Sequence, residues 1–284
     1  MQVAKTITDV RGTVKQARRQ DKTIGFVPTM GALHIGHISL IEAAKKKCDF
    51  VVVSIFVNPT QFGPEEDLEQ YPRPVEADLK ICENLDVDIV FNPTPEVMYP
   101  AKILTWVNVE KLSEPLCGQS RQGHFKGVTT VCAKLFNIVA PDLAFFGQKD
   151  AQQAIIIKRM VTDLNMPIEI IICPTIREPN GLAMSSRNKY LTQDQKNHAA
   201  LIYKSLQKCN QMIMENTANP EQIITKMRKT LERAPDIKIE YISILNAETL
   251  EPADKADKTI LAAIAVKVGN TRLIDNILVD AGEK

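Results

Sequence analysis

Two histidines three residues apart, His34 and His37, lie in the run Pro28-Thr29-Met30-Gly31-Ala32-Leu33-His34-Ile35-Gly36-His37. Before them, Thr23-Ile24-Gly25-Phe26-Val27 reads as a short buried strand; after them, Ile38 to Lys45 has the apolar spacing of a helix. The imidazoles therefore fall on one side of a helix's first turn, where free backbone N–H groups and the positive dipole end favour an anion such as phosphate. Gly31 and Gly36 lack a Cβ, so a flat nucleotide can approach the backbone. The plainer alternative is that the histidines cap a helix or fill a core gap. A zinc site would need a third ligand, and the chain offers no H-E-x-x-H and no closely paired cysteines.

Three further stretches carry chemistry. Asn58-Pro59-Thr60-Gln61 follows an apolar run and supplies two amides able to donate and accept to a hydroxy acid or a ribose, or else a Pro-Thr turn with incidental amides. Gly147-Gln148-Lys149-Asp150 precedes a helix, so Lys149 sits beside a helix N-terminus with a glycine allowing close approach, a place for an ammonium to meet phosphate oxygens. Asp150 could cap that helix or hold a ribose hydroxyl or a metal-bound water, and Gln153 comes one turn later. The loop Arg177 to Asn188 contains Met184-Ser185-Ser186-Arg187, two hydroxyls and a guanidinium suited to a triphosphate, or a hinge rich in small polar residues. A fourth segment, Gly118 to Gly127, gathers Arg121, His124 and Lys126 before a helix and could hold a carboxylate or phosphate; a simple exposed turn fits nearly as well.

These groups need elements to position them. Phe50–Val57, Val87–Phe91, Leu143–Phe146 and Ile168–Ile172 look like strands, and Val75–Leu85, Gly127–Val139 and Ala151–Leu164 carry helical spacing, with Pro141 and Pro167 ending the last two. The alternation predicts a doubly wound parallel α/β sheet, whose ligands belong at the ends of its strands. Past about residue 176 a polar loop leads into helices Gln193–Glu215 and Pro220–Arg233, then strands Lys238–Leu245, Thr259–Val268 and Arg272–Val279, with Gly269-Asn270 as a hairpin turn. That reads as a smaller α+β domain.

The chain of 284 residues is 44% hydrophobic, enough to bury a large core, and its 35 basic and 34 acidic residues leave a net charge of +1. No field of one sign attracts nucleic acid or an anionic membrane. The six cysteines are widely spaced, which fits reduced, buried thiols. With neither a signal-like apolar run after Met1 nor a charge-free stretch of bilayer length, a cytoplasmic location is expected.

Together the motifs resemble those of the pantoate–β-alanine ligase (pantothenate synthetase) family, within the nucleotidylyltransferase superfamily. The stretches are P-T-M-G-A-L-H-x-G-H, F-V-N-P-x-Q-F at Phe56 to Phe62, Y-P-R at Tyr71 to Arg73, G-H-F-x-G-V at Gly123 to Val128, F-F-G-x-K-D at Phe145 to Asp150 and G-L-A-M-S-S-R-N at Gly181 to Asn188. They run in the family's order from about residue 24 to 191; beyond 200 there is no diagnostic motif. Ile35 departs from the acidic or polar residue of many relatives. The resemblance implies a Rossmann-like catalytic domain over residues 1–175 that binds ATP and pantoate, and a smaller domain over 176–284 that closes over the site. It implies ATP-dependent joining of D-pantoate to β-alanine through an acyl-adenylate, with Mg²⁺ accompanying ATP, and a homodimer. His34, His37, Lys149, Ser185, Ser186 and Arg187 would act on the phosphates; Met30, Gly36, Gly147, Asp150 and Met184 would complete the ATP site. Gln61 and Gln153, with Asn58 nearby, would hold pantoate. Arg121 and His124 would stand at the site's edge. Asp78 is either a metal neighbour or, more simply, a solvated helix carboxylate.

Three rivals share parts of this pattern. Another nucleotidylyltransferase would meet a phosphate acceptor with Arg or Lys rather than with Gln61 and Gln153. A class I aminoacyl-tRNA synthetase would call for a basic surface or an anticodon domain. A nucleotide-sensing module that binds ATP without turning it over stays open from the sequence; His34/His37 together with Lys149 go beyond what adenine recognition requires, and pyrophosphate release would discriminate.

Overall fold

The apolar runs of the first 174 residues form six parallel strands in the computed structural model, which describes residues 1–64, 66, 68–254 and 258–280. They are β1 (Gln2–Ala4), β2 (Ile24–Thr29), β3 (Phe50–Ile55), β4 (Ile89–Phe91), β5 (Leu143–Gly147) and β6 (Glu169–Cys173), in the sheet order β1-β4-β3-β2-β5-β6. Between them run α1 (Ile7–Arg18), α2 (Ile35–Lys47), α3 (Val75–Asn84), the single turns α4 (Pro95–Met98) and α5 (Cys117–Ser120), α6 (His124–Val139) and α7 (Ala151–Asp163).

Alternate strand residues feed two cores. Phe26, Val52, Ala144 and Phe146 pack with side chains of α1, α6 and α7, while Val27, Val51, Val53 and Phe145 pack with those of α2 and α3. Burial on both faces is why these strands read as unbroken apolar runs. From β2 the chain proceeds through β3 to β4 on one side and resumes at β5 and β6 on the other, so the loops after β2 and β5 diverge. Such a switch point leaves a crevice at the strand ends.

Three differences from the sequence reading have local causes. No element is expected before Thr23, yet β1 and α1 form there: three residues are too few to show a period, and they are held by pairing with Ile89–Phe91. Helix α1 had a readable signal in Val10, Val14 and Ala17, all buried, with Thr6 accepting from the Asp9 N–H as its cap. Strand β2 runs on through Pro28 to Thr29, whose Oγ1 donates to the Ser54 carbonyl at 2.7 Å.

Gln148–Ala151 and the chain from Thr175 onward make a second compact unit. Here α8 (Gln193–Met214) and α9 (Pro220–Leu231) share a core with the antiparallel sheet β7 (Ile237–Asn246), β8 (Thr259–Val268) and β9 (Thr271–Asp280). Thr192 with Gln195, and Asn219 with Gln222, form reciprocal caps at the two helix starts. Gly269-Asn270 is the two-residue turn between β8 and β9, and Gly269 takes φ +55° there. No helix among the described residues is long and apolar enough to cross a membrane.

Candidate active site

His34 is the N-cap of α2, and both histidines serve the cap. The Gly36 N–H donates to His34 Nδ1 at 3.1 Å, and the His34 N–H donates to His37 Nδ1 at 3.3 Å. Their rings lie 4.2 Å apart, centroid to centroid. The capping alternative is therefore true of the backbone, and it has a chemical consequence. A neutral imidazole that accepts at Nδ1 carries its proton at Nε2, which makes that nitrogen a donor rather than an acceptor.

The loop ahead of α2 is held from below by Asp78. Its carboxylate accepts the N–H of Ala32 and the N–H of Leu33, each at 2.8 Å, while Gly31 and Ala32 take φ +82° and +51°. Asp78 is 1% exposed, which corrects the expectation of a solvated helix carboxylate. Burial pushes its carboxyl up, and the two N–H donors oppose that shift. Both oxygens are committed to the loop, so the carboxylate shapes the turn that leads into His34. A signal existed: Val75, Asp78 and Cys82 share one helix face, and an acid among apolar neighbours on a buried face needs a partner.

The two amides after β3 bond to each other. Asn58, 1% exposed, donates to the Gln61 side chain at 3.1 Å and to the Gly127 carbonyl, and accepts from the Thr60 and Tyr99 hydroxyls. Asn58 is thus spent on holding Gln61 and the turn around it. Gln61 Nε2 also donates to Met30 Sδ at 2.9 Å, tying this turn to the histidine loop.

The cations of the 118–127 segment have partners within the protein. Glu66 takes Arg121 in a fork, with bonds of 2.7 and 2.6 Å, and the guanidinium holds the Glu66 carboxyl below the ordinary glutamate range. Arg121 also meets His124 at 3.1 Å, and His124 Nδ1 meets the Gln61 carbonyl at 2.8 Å. Lys126 lies over the Trp106 ring. The segment is mostly helical, and α6 begins at His124, three residues before the expected start. Its part is to buttress Gln61, and Glu66 and Tyr99 are partners that the sequence reading did not single out.

Gly147 ends β5, and Gln153 is half-buried on the first turn of α7. Its neighbour Gln152 is buried and ties down the 112–117 backbone through Leu112, Pro115 and Cys117. The remaining predicted residues belong to the second unit. Lys149 and Asp150 lie on a single 3₁₀ turn, with Nζ 3.5 Å from the Asp150 carboxylate. Ser185 caps the short helix Ser186–Tyr190 by accepting the Arg187 N–H, and buried Asn188 holds the same loop through Glu178 and the Ala183 carbonyl.

All six cysteines are buried and none is in a disulfide, and burial pushes Cys82, Cys132 and Cys209 up to about 12, so these three thiols stay protonated. Among the described residues no group of three or more His, Cys, Asp or Glu side chains could hold a metal ion.

The Pantoate-beta-alanine ligase family model matches residues 2–278. The chain belongs to the pantoate–β-alanine ligase family. Within it, the chain is 51% identical to the pantothenate synthetase of Thermotoga petrophila over 278 residues, 98% of this chain and 99% of that one. The crystal structure of pantothenate synthetase from Thermus thermophilus superposes with a TM-score of 0.92 at 38% identity, covering 98% of this chain and 99% of that one. A pantoate–β-alanine ligase from Francisella tularensis, complexed with beta-gamma ATP and β-alanine, gives 0.80 at 39%, covering 98% and 97%.

Proposed function

We propose that this pantoate–β-alanine ligase uses ATP, entering with Mg²⁺ carried on its phosphates, to join pantoate to β-alanine in two steps at one site. A carboxylate is a poor acylating agent because its leaving group would be oxide. In the first step a pantoate carboxylate oxygen attacks the ATP α-phosphorus, the bond to pyrophosphate breaks, and pantoyl adenylate forms. In the second, the β-alanine amine attacks the acyl carbon, gives up a proton and expels AMP.

The observation that carries this reading is the pair of Nδ1-capped imidazoles at the start of α2, beside a glutamine that neighbouring residues hold in place. The first step gathers negative charge on the α-phosphate and the departing pyrophosphate. His34 and His37 stabilise that charge with Nε2–H donors, helped by Lys149, Ser185, Ser186 and Arg187. Gln61 and Gln153 hold the pantoate hydroxyls and carboxylate, and Asp150 meets the ribose. Met30, Gly36, Gly147 and Met184 line the ATP site, and Asn58, Arg121 and His124 position Gln61. Positioning and electrostatics suffice, and no protein nucleophile is required. A homodimer in the cytoplasm fits the family likeness.

The test is pyrophosphate release from ATP and Mg²⁺ with ATP alone, with pantoate, and with pantoate and β-alanine. Release stoichiometric with enzyme on adding pantoate, and catalytic once β-alanine is present, is the expected result. Pantoate-independent release, or none from protein that binds ATP, would overturn the reading.

A further inference from the structure

Strand β9 carries two polar residues side by side in an otherwise apolar run, Leu273-Ile274-Asp275-Asn276-Ile277, and both are buried, at 3% and 4% exposure. Neighbours on a strand point to opposite faces, and these two have opposite tasks. Asp275 takes the Arg177 guanidinium in a fork, at 2.6 and 3.1 Å, and accepts the Asn276 N–H at 2.8 Å. Arg177 in turn lies 3.7 Å over the Tyr203 ring of α8 and donates to the Gly181 carbonyl. Burial pushes the Asp275 carboxyl up, and the charges of Arg177 and Lys149 pull it the other way.

Asn276 faces the 3₁₀ turn that bears Lys149. Its Nδ2 donates to the Gln148 carbonyl at 3.0 Å and to the Lys149 carbonyl at 2.9 Å. Two carbonyl partners settle which end of the amide is nitrogen, and the Oδ1 at the other end is buried with no hydrogen-bond partner among the described residues. A buried acceptor left in that state costs stability. An apolar residue would avoid the cost but could not hold two successive carbonyls. With both bonds made, neither peptide plane of the turn can rotate without losing one, so the direction in which Lys149 leaves the backbone is set.

We propose that Asn276, buttressed by Asp275, Arg177 and Tyr203, is a positioning residue that aims the Lys149 ammonium for adenylate formation. This rests on the reading of Lys149 as a partner of the ATP phosphates. The test is a double-mutant cycle on the full-length enzyme, reading single-turnover pyrophosphate release with ATP, Mg²⁺ and pantoate, with steady-state kcat and KM and thermal melting in parallel. Lys149→Ala is expected to slow release ~10²-fold, the usual loss for one transition-state charge partner. Asn276→Ala is expected to slow it ~10-fold, mainly in kcat, and to change it less than about twofold in the Lys149→Ala background, the signature of two residues acting as one. Asn276→Ser, which keeps one donor, should fall between and serves if the Ala variant melts below the assay temperature. Wild-type release by both Asn276 variants, or an equal loss with and without Lys149, overturns the clamp while leaving Lys149 in its role. Unchanged release by Lys149→Ala overturns the reading of Lys149 and the clamp with it.

Discussion

Asp78 shows how much the shape of the candidate site depends on a carboxylate that serves the backbone. Its carboxylate shapes the turn that ends in His34 by accepting two consecutive backbone N–H groups. Asp78→Asn keeps the volume but sets an amide donor against one of those N–H groups. Displacing a catalytic turn by an ångström costs on the order of 10²-fold, so pantoate-dependent pyrophosphate release from this variant should fall by ~10²-fold while the circular dichroism spectrum stays native. Unchanged release would show that the loop holds its shape without the carboxylate. His34 and His37 were legible because a strand, two glycines and a helix surround them within a short stretch of chain. The role of Asp78 was not, because in the string it is one acid of a helix, and nothing local tells whether its face is buried or wet.

At the scale of elements, the join between α6 and the turn after β3 decides where Gln61 sits. A Cβ at Gly127 would run into the Thr60 carbonyl and lie 2.7 Å from the Gln61 Cα, all backbone that cannot step aside. Gly127→Ala should therefore raise KM for pantoate and lower kcat by ~10-fold or more, following the same sensitivity to placement, with KM for ATP less affected; steady-state kinetics in each substrate will show it. The Glu66–Arg121 fork braces the same join. Because the carboxyl of Glu66 is depressed in the folded state, its contribution is present above the ordinary glutamate range and is lost as pH falls through the depressed value. Both side chains are about a fifth exposed, so the contribution is on the order of 1 kcal/mol or less. Glu66→Gln should lower the melting temperature at neutral pH and flatten its fall in acid; parallel curves for both proteins from neutral to acid pH would show that the fork contributes nothing. The helix starts and the Gly269-Asn270 hairpin could be read from local signals alone. Asn58 could not, since an amide's partners lie wherever the chain returns, and here they include Tyr99 and Gly127.

For the whole molecule, the reaction sets a requirement of its own, since pantoyl adenylate must meet β-alanine before water. The residues assigned to ATP are divided between two compact units, which motivates the proposal that the units draw together when ATP and pantoate are both bound. Small-angle scattering should then show a smaller radius of gyration with both substrates than with either alone; an identical curve in all three states would exclude a large closure. What the amino-acid sequence determined by itself was the family and the kind of sheet: polar motifs in the family's order, and apolar runs that only burial on both faces explains. Those signals are local, contained in the period of a strand or the first turn of a helix. Tertiary structure alone decided which polar residues serve one another. Asp78 and Leu33 are 45 residues apart, and Arg177 and Asp275 are 98 apart, yet the first pair meets at 2.8 Å and the second at 2.6 Å. A carboxylate or an amide reads the same in a sequence whether it faces water, a backbone N–H or a guanidinium. Only the return of the chain chooses among them, by removing the water with which it would otherwise have been content.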